Sequence, residues 1–284
     1  YRLPRIATQQ LVGRGEIGSA QAAPHEAAQQ QEMILQATAK AVAILSHLAI
    51  VSGLLIIGRR HFGSSSTGAA TATMYLMMPC TALFAGGVAH LLPSALLVWA
   101  IVFYRRPTLA GMMIGLAAGT IYYPAFLIFL WCSYYGDRGV KRFATGLVIM
   151  IATLAITQVA TAGSWEDTIA HLRQMFGIRL PTTEGQGIWK YWIYYYRLPI
   201  LGAFVALSIS FVAWPVRKHL GTLICCSAAL MIGAQFWHAY GGGLYVAWYL
   251  PLVLLTIYRP NLEDRIAETV VEEGWWQRRQ RAIS

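Results

Sequence analysis

The residues best suited to chemistry cluster between positions 162 and 197. Two adjacent carboxylates, Glu166 and Asp167, are followed by cations that include Arg173, Lys190 and Arg197. A dense aromatic run, Trp189, Tyr191, Trp192, Tyr194, Tyr195 and Tyr196, is interleaved with them. A carboxylate in this setting is a candidate general base for a hydroxyl nucleophile. The cations are candidate partners for phosphate, and aromatic rings can stack on a sugar or flank a lipid chain. Each residue also has a plainer role. Ser164 followed by Asp167 resembles a helix-capping start, and aromatics at a helix end form the usual interfacial belt. Tyr122, Tyr123 and His238 complete the candidate substrate-binding residues. His47, in mid-segment, reads as an interhelical hydrogen bond before a proton relay. His90 and His238 fall near helix ends beside Gln235 and Tyr240, without metal-ligand spacing. No Ser-His-Asp or HExxH arrangement occurs, and neither a metal nor a cofactor is expected.

The elements that must position these residues are membrane helices. The chain has 284 residues, 57% of them hydrophobic and only 12% charged, with a mean hydropathy of +0.50. Apolar segments fill 41–57, 68–84, 91–104, 108–135, 143–161, 198–216, 220–237 and 244–258. The expected fold is therefore all-α, a polytopic transmembrane bundle of about nine crossings. A polar segment, 1–40, precedes the membrane domain, 41–258, and a tail, 259–284, follows it. The net charge of +10 is not a nucleic-acid signature, because the basic residues sit at helix ends. Cys80, Cys132, Cys225 and Cys226 all fall in apolar segments and read as small core residues.

Charge sets the topology. Arg59 and Arg60, Arg105 and Arg106, Arg138 to Arg142, Arg217 and Lys218, and Arg259 should share the cytoplasmic side. That requires 108–135 to cross twice, with a break at Gly119, Thr120 and the Tyr122, Tyr123, Pro124 turn. Each half is about 13 residues, roughly 20 Å of helix against a hydrocarbon core of about 30 Å. The turn then lies below the outer surface, where non-helical backbone must be covered by protein or line a wet cavity. Residues 1–39 fall outside and the tail inside, where Trp275, Trp276, Arg278, Arg279 and Arg281 suit an anionic leaflet. Residues 164–176 carry Trp165, Ile169, Leu172 and Phe176 at helical spacing, the pattern of an amphipathic helix on the outer surface. Gly111, Gly115 and Gly119 form a stripe for close helix packing.

One stretch resembles a known family. Tyr104, Arg105, Arg106 and Pro107, then Gly115, Leu116 and Ala117, then Tyr122, Tyr123 and Pro124, an apolar run to Leu130 and Trp131, and the basic stretch from Arg138 to Phe143 are similar to C-type glycosyltransferases that use polyprenyl-phosphate sugars. The likeness is to their bacterial mannosyltransferase-like branch. It spans 70–143, with a weaker echo at 258–265. Three positions depart from the family: Ile121 stands where a lysine is frequent, Phe129 replaces a second proline, and 1–40 holds no Asp for the family's first outer loop. The resemblance implies the C-terminal part of such an enzyme or a degenerate relative. It further implies sugar transfer at the outer leaflet of the bacterial inner membrane from a polyprenyl-phosphate lipid. Asp167 or Glu166 would serve as base and Arg173, Lys190 or Arg197 as phosphate partners. The alternative is a non-catalytic membrane subunit packed against other membrane chains. A transporter would call for intramembrane ionisable residues or matched broken helices, and the sequence has one broken helix and no repeat.

Overall fold

The computed structural model describes residues 24–79, 81, 87–162, 164–166, 168–169, 191, 194–237, 245–267 and 271. Over these residues the fold is all-helical, with extended backbone paired only at an isolated bridge between His219 and Ile266. The helices are α1 (Pro24–Arg60), α2 (Ser65–Met77), α3 (Val88–Val102), α4 (Pro107–Thr120), α5 (Leu127–Thr161), α6 (Arg197–Ser210), α7 (Leu220–Trp237) and α8 (Val246–Tyr258). Gln30–Arg60, Arg138–Thr161 and Leu220–Trp237 are long and apolar enough to cross a membrane, and four shorter apolar helices accompany them.

Two boundaries depart from the apolar segments for local reasons. Helix α1 starts at Pro24, well before the apolar residues begin. The Gln- and Ala-rich stretch there favours helix. Helix α6 stops at Ser210, short of Val216. Residues 211–214 wind into tight turns, with Trp214 N donating to the Ser210 carbonyl at 2.9 Å. Pro215 has no N–H to continue a helix and disfavours helical backbone at Trp214.

The long apolar run doubles back. Helix α4 ends at Thr120, Ile121 is extended (φ −150°, ψ 138°), and a short 3-10 turn covers Tyr123–Phe126 before α5 begins. Pro124 opposes helix at this point, and the Thr120 hydroxyl bonds back to the Ala117 carbonyl at 2.7 Å. The chain then returns to where α4 started. Tyr135 Oη donates to the Tyr104 carbonyl at 2.8 Å, and a Cβ on Gly139 would stand 3.1 Å from Pro107 Cγ. Helix α5 breaks there at Gly136, whose φ of +49° and ψ of −143° suit glycine alone. The remainder of α5 runs alongside α4, backbone against backbone. A Cβ on Gly111 would collide with the Phe143 carbonyl, and one on Gly146 with the Thr108 carbonyl.

The basic clusters gather at one end of the bundle. There His61 Nε2 hydrogen-bonds the Val102 carbonyl at 3.0 Å, Tyr134 Oη donates to the Arg265 carbonyl at 3.2 Å, and Leu220 N donates to the same carbonyl at 3.0 Å. Ser133 Oγ donates to the Val212 carbonyl at 2.7 Å, and Lys218 Nζ to the same oxygen at 3.1 Å. The tyrosine turn lies at the opposite end. Between the two, His47 Nδ1 hydrogen-bonds Tyr75 Oη at 2.9 Å and ties α1 to α2, the interhelical bond that its mid-segment position suggests.

His61 gives the basic end a pH limit. It is 5% exposed, and burial pushes its imidazole pKa from 6.5 down to about 4. The Val102 hydrogen bond opposes that shift, while the charges of Arg105, Arg265 and Arg60 add to it. Between those two values the unfolded chain takes up a proton that the folded protein refuses. Stability is therefore intact above pH 6.5 and falls as pH drops towards 4, by up to about 3 kcal/mol. Thermal unfolding in detergent should show this decline in the native chain, and a His61→Gln variant should lose most of it.

Candidate aromatic and arginine site

The turn that reverses the chain also assembles the candidate site. Tyr122 is half-buried and Tyr123 is 1% exposed. Their ring centroids are 4.1 Å apart, and their hydroxyls hydrogen-bond to each other. Trp237, the last residue of α7, packs on both, with centroids at 5.9 Å from Tyr122 and 5.5 Å from Tyr123. Trp248 of α8 closes the other side of Tyr123 at 4.6 Å. Tyr123 is thus the buried support, and Tyr122 is the ring presented at the surface.

Arg197 completes the arrangement. It is the first residue of α6, and its Nε donates to the Trp237 carbonyl at 3.1 Å. A cation at the carboxyl end of α7 is favoured by the helix dipole. The same guanidinium lies close enough to act electrostatically on both tyrosine hydroxyls. It also sits at the amino end of α6, where backbone dipoles add positive potential. Ser208 Oγ donates to the Phe126 carbonyl at 2.7 Å, and Phe126 meets Phe204 edge-on at 4.8 Å, so α6 is fixed against the turn.

A second aromatic layer supports the first. Tyr245 stacks on Trp248 at 4.5 Å with an interplanar angle of 9°. Trp248 Nε1 donates to His90 Nδ1 at 3.0 Å, which assigns the neutral His90 ring its proton on Nε2. The His90 ring also faces Tyr245 at 4.8 Å. These contacts seat α8 over the start of α3, while Gln235 Nε2 bonds the Met231 carbonyl of its own helix at 3.5 Å. Tyr240 lies outside the described residues. An aromatic floor with one guanidinium at its edge is chemically suited to a phosphate joined to a flat or apolar group.

Of the residues singled out in the sequence, Tyr122, Tyr123 and Arg197 come together. Glu166 is exposed, in a helical start where Thr168 N donates to the Ser164 carbonyl at 3.1 Å. Among the described residues no hydrogen bond or ion pair links Glu166 to the tyrosine pair. Asp167, Arg173, Lys190 and His238 lie outside the described residues, as does most of the amphipathic stretch 164–176. Cys132, Cys225 and Cys226 are free thiols, and Cys80 lies outside the described residues. Sequence reading missed Trp237, Trp248, Tyr245 and His90 as members of the site. Aromatics near the ends of apolar helices are so common that their types alone carried no signal; only the fold brings them onto Tyr123. No family model, curated protein or solved structure matches this chain.

Proposed function

We infer that the protein is a membrane glycosyltransferase that moves a sugar from a polyprenyl-phosphate donor to an acceptor at the outer leaflet. The reading takes the chain as about nine crossings of a bacterial inner membrane, with the basic end in the cytoplasm and the tyrosine turn on the outer side. One observation carries it: Arg197, Tyr122 and Tyr123 converge at a break in an apolar run. Helix α4 has 14 residues, about 21 Å, so the turn falls short of a full crossing of about 30 Å. Under this reading the donor's phosphate is drawn in beside the turn by Arg197, with its chain among the helices. In the transfer, the acceptor hydroxyl attacks the anomeric carbon, the bond to the phosphate oxygen breaks, and the phosphate leaves with the electron pair. Arg197 would stabilise that leaving charge, Tyr122 would line the sugar side, and Glu166 or Asp167 would take the hydroxyl proton.

The test uses the full chain in liposomes with undecaprenyl-phosphate mannose as probe. Saturable quenching of tryptophan fluorescence is expected from the site's Trp237 and Trp248, with plain undecaprenol giving much less. Equal responses to both lipids would sink the reading.

A second reading, a non-catalytic membrane subunit, draws on α5. Only 17% of an apolar 18-residue stretch within Arg138–Thr161 is buried, against 56% for α7, and Val148, Ile149, Ile156 and Val159 are exposed. Lipid or a second membrane chain would cover that face. Under this reading the tyrosine turn binds no donor.

A further inference from the structure

The basic end of the bundle holds a constellation that the donor-site reading does not use. His61 stands edge-on to the Tyr104 ring, with centroids 4.7 Å apart. Its Nε2 is engaged by the Val102 carbonyl at 3.0 Å, which leaves Nδ1 buried with no hydrogen-bond partner. Tyr104 is fully buried, and its hydroxyl has no partner either. The Nε of Arg105 is likewise buried without a hydrogen-bond partner. Tyr134, whose hydroxyl donates to the Arg265 carbonyl, lies within electrostatic reach of both Tyr104 and Arg105. The charges of Arg105, Arg265 and the exposed Arg60 all act on His61.

Three stretches of chain thus meet here: the end of α1, the α3–α4 turn and the segment after α8. Each brings cationic or hydrogen-bonding groups, and over the described residues they carry a surplus of positive charge. Asp264 is the carboxylate paired at this spot, 3.4 Å from Arg265 Nε, and it is 73% exposed. Among the described residues, the ion pair at this spot sets a single exposed carboxylate against the guanidinium groups of Arg60, Arg105 and Arg265. Unsatisfied buried donors and clustered like charges both cost stability, and the fold nevertheless holds them together. A small polyvalent oxyanion would satisfy all of them at once: its oxygens accept from guanidinium forks and a phenol, and its charge offsets the arginines.

We propose that His61, Tyr104, Arg105 and Arg265, with Arg60 at the rim, form a phosphate-binding site at the basic end of the bundle. The phosphate can come from an anionic phospholipid head group in the leaflet at that end or from solution. With it bound, His61 can take a proton on Nδ1 and donate it to a phosphate oxygen.

The experiment measures thermal unfolding of the full chain in neutral detergent, with inorganic phosphate set against chloride at matched ionic strength. It is repeated in nanodiscs of phosphatidylcholine with and without phosphatidylglycerol. At a hundredfold excess over Kd the midpoint should rise by about 5 °C. A rise with inorganic phosphate assigns a soluble source; a rise confined to phosphatidylglycerol assigns the lipid head group. Arg105→Gln and Arg265→Gln should each abolish the rise without lowering the midpoint in chloride, because each also relieves repulsion. Arg217→Gln removes an exposed cation outside the cluster and should keep the rise. Tyr104→Phe, which deletes one hydroxyl, should diminish it and provides the readout if an arginine variant fails to fold. No rise in either series, or a rise that persists undiminished in the arginine and tyrosine variants, overturns the site.

Discussion

Gly111→Leu is expected to abolish the folded protein. A Cβ at Gly111 would collide with the Phe143 carbonyl and stand 3.0 Å from Leu147 N, so the obstruction is backbone, which cannot rotate away. Even Gly111→Ala must push α4 off the later half of α5, at a cost of about 2–3 kcal/mol. A leucine would separate the two helices outright. Helices in a membrane associate through close van der Waals packing, without a hydrophobic driving force between them. Losing this contact also loses the hold on the returning segment between Thr120 and Gly136. Gly202 supplies the contrast. It is also helical, yet a Cβ there meets nothing within 4 Å. Gly202→Ala should leave stability unchanged or raise it by up to about 1 kcal/mol through helix propensity. Size-exclusion profiles and melting curves in detergent separate the two variants. A monodisperse Gly111→Leu protein with native melting would show that α4 and α5 do not touch as described.

The same contact shows what could be read from the chain and what could not. Spacing of Gly111 and Gly115 by four in an apolar helix announces a close approach, because both fall on one face. It does not name the partner. That partner, Phe143 to Gly146, lies beyond the reversal at Gly136, which the basic run Arg138 to Arg142 marks without saying which helix the next segment packs against. The doubling back of 108–135 was legible because two basic clusters at its ends demand an even number of passes, and Pro124 supplies the break. Helix α7 was legible end to end, since Lys218 and His219 precede it and its run of apolar residues is continuous. Helix from Pro24 onward was legible only as one option, because polar Gln and Ala residues favour helix but give no membrane signal to join them to the apolar segment.

The candidate site divides along the same line. Charged and turn-forming residues stand out in an apolar chain, so Arg197 and the Tyr122, Tyr123 pair were found. The aromatic layer around them was not, because Trp237, Tyr245 and Trp248 are single members of helices already rich in aromatic residues. His90 was noticed, but its bond to Trp248 was not, since contact between α3 and α8 is a tertiary fact with no local trace. The two ends of the bundle also differ in kind. At the tyrosine turn, among the described residues, the Trp237 carbonyl holds the Nε of Arg197 beside the aromatic rings of Tyr122, Tyr123 and Trp237. At the basic end several arginines crowd a buried histidine. A surplus of clustered cations suits an anion that stays.

Arg197→Gln should lower sugar transfer about 100-fold to 1000-fold, the usual range for removing one donor to a developing oxyanion. Glutamine can still donate to the Trp237 carbonyl, so the anchor between α6 and α7 survives at a cost of about 1 kcal/mol or less. The loss should therefore appear in turnover and not in the melting curve. Arg197→Lys keeps the charge but not the planar fork that can hold Trp237 and a phosphate oxygen together. About a tenfold loss is expected, an intermediate position that a purely structural arginine would not produce. Tyr122→Phe removes a half-buried hydroxyl that faces the same cation, and should raise KM more than it lowers kcat. Tyr123→Phe acts beneath it, through the hydroxyl contact to Tyr122, and should have the smaller effect. Turnover is read as release of undecaprenyl phosphate from undecaprenyl-phosphate mannose in liposomes. If Arg197→Gln turns over like the native chain, the leaving phosphate does not meet Arg197, and the tyrosine turn is a packing feature of the bundle.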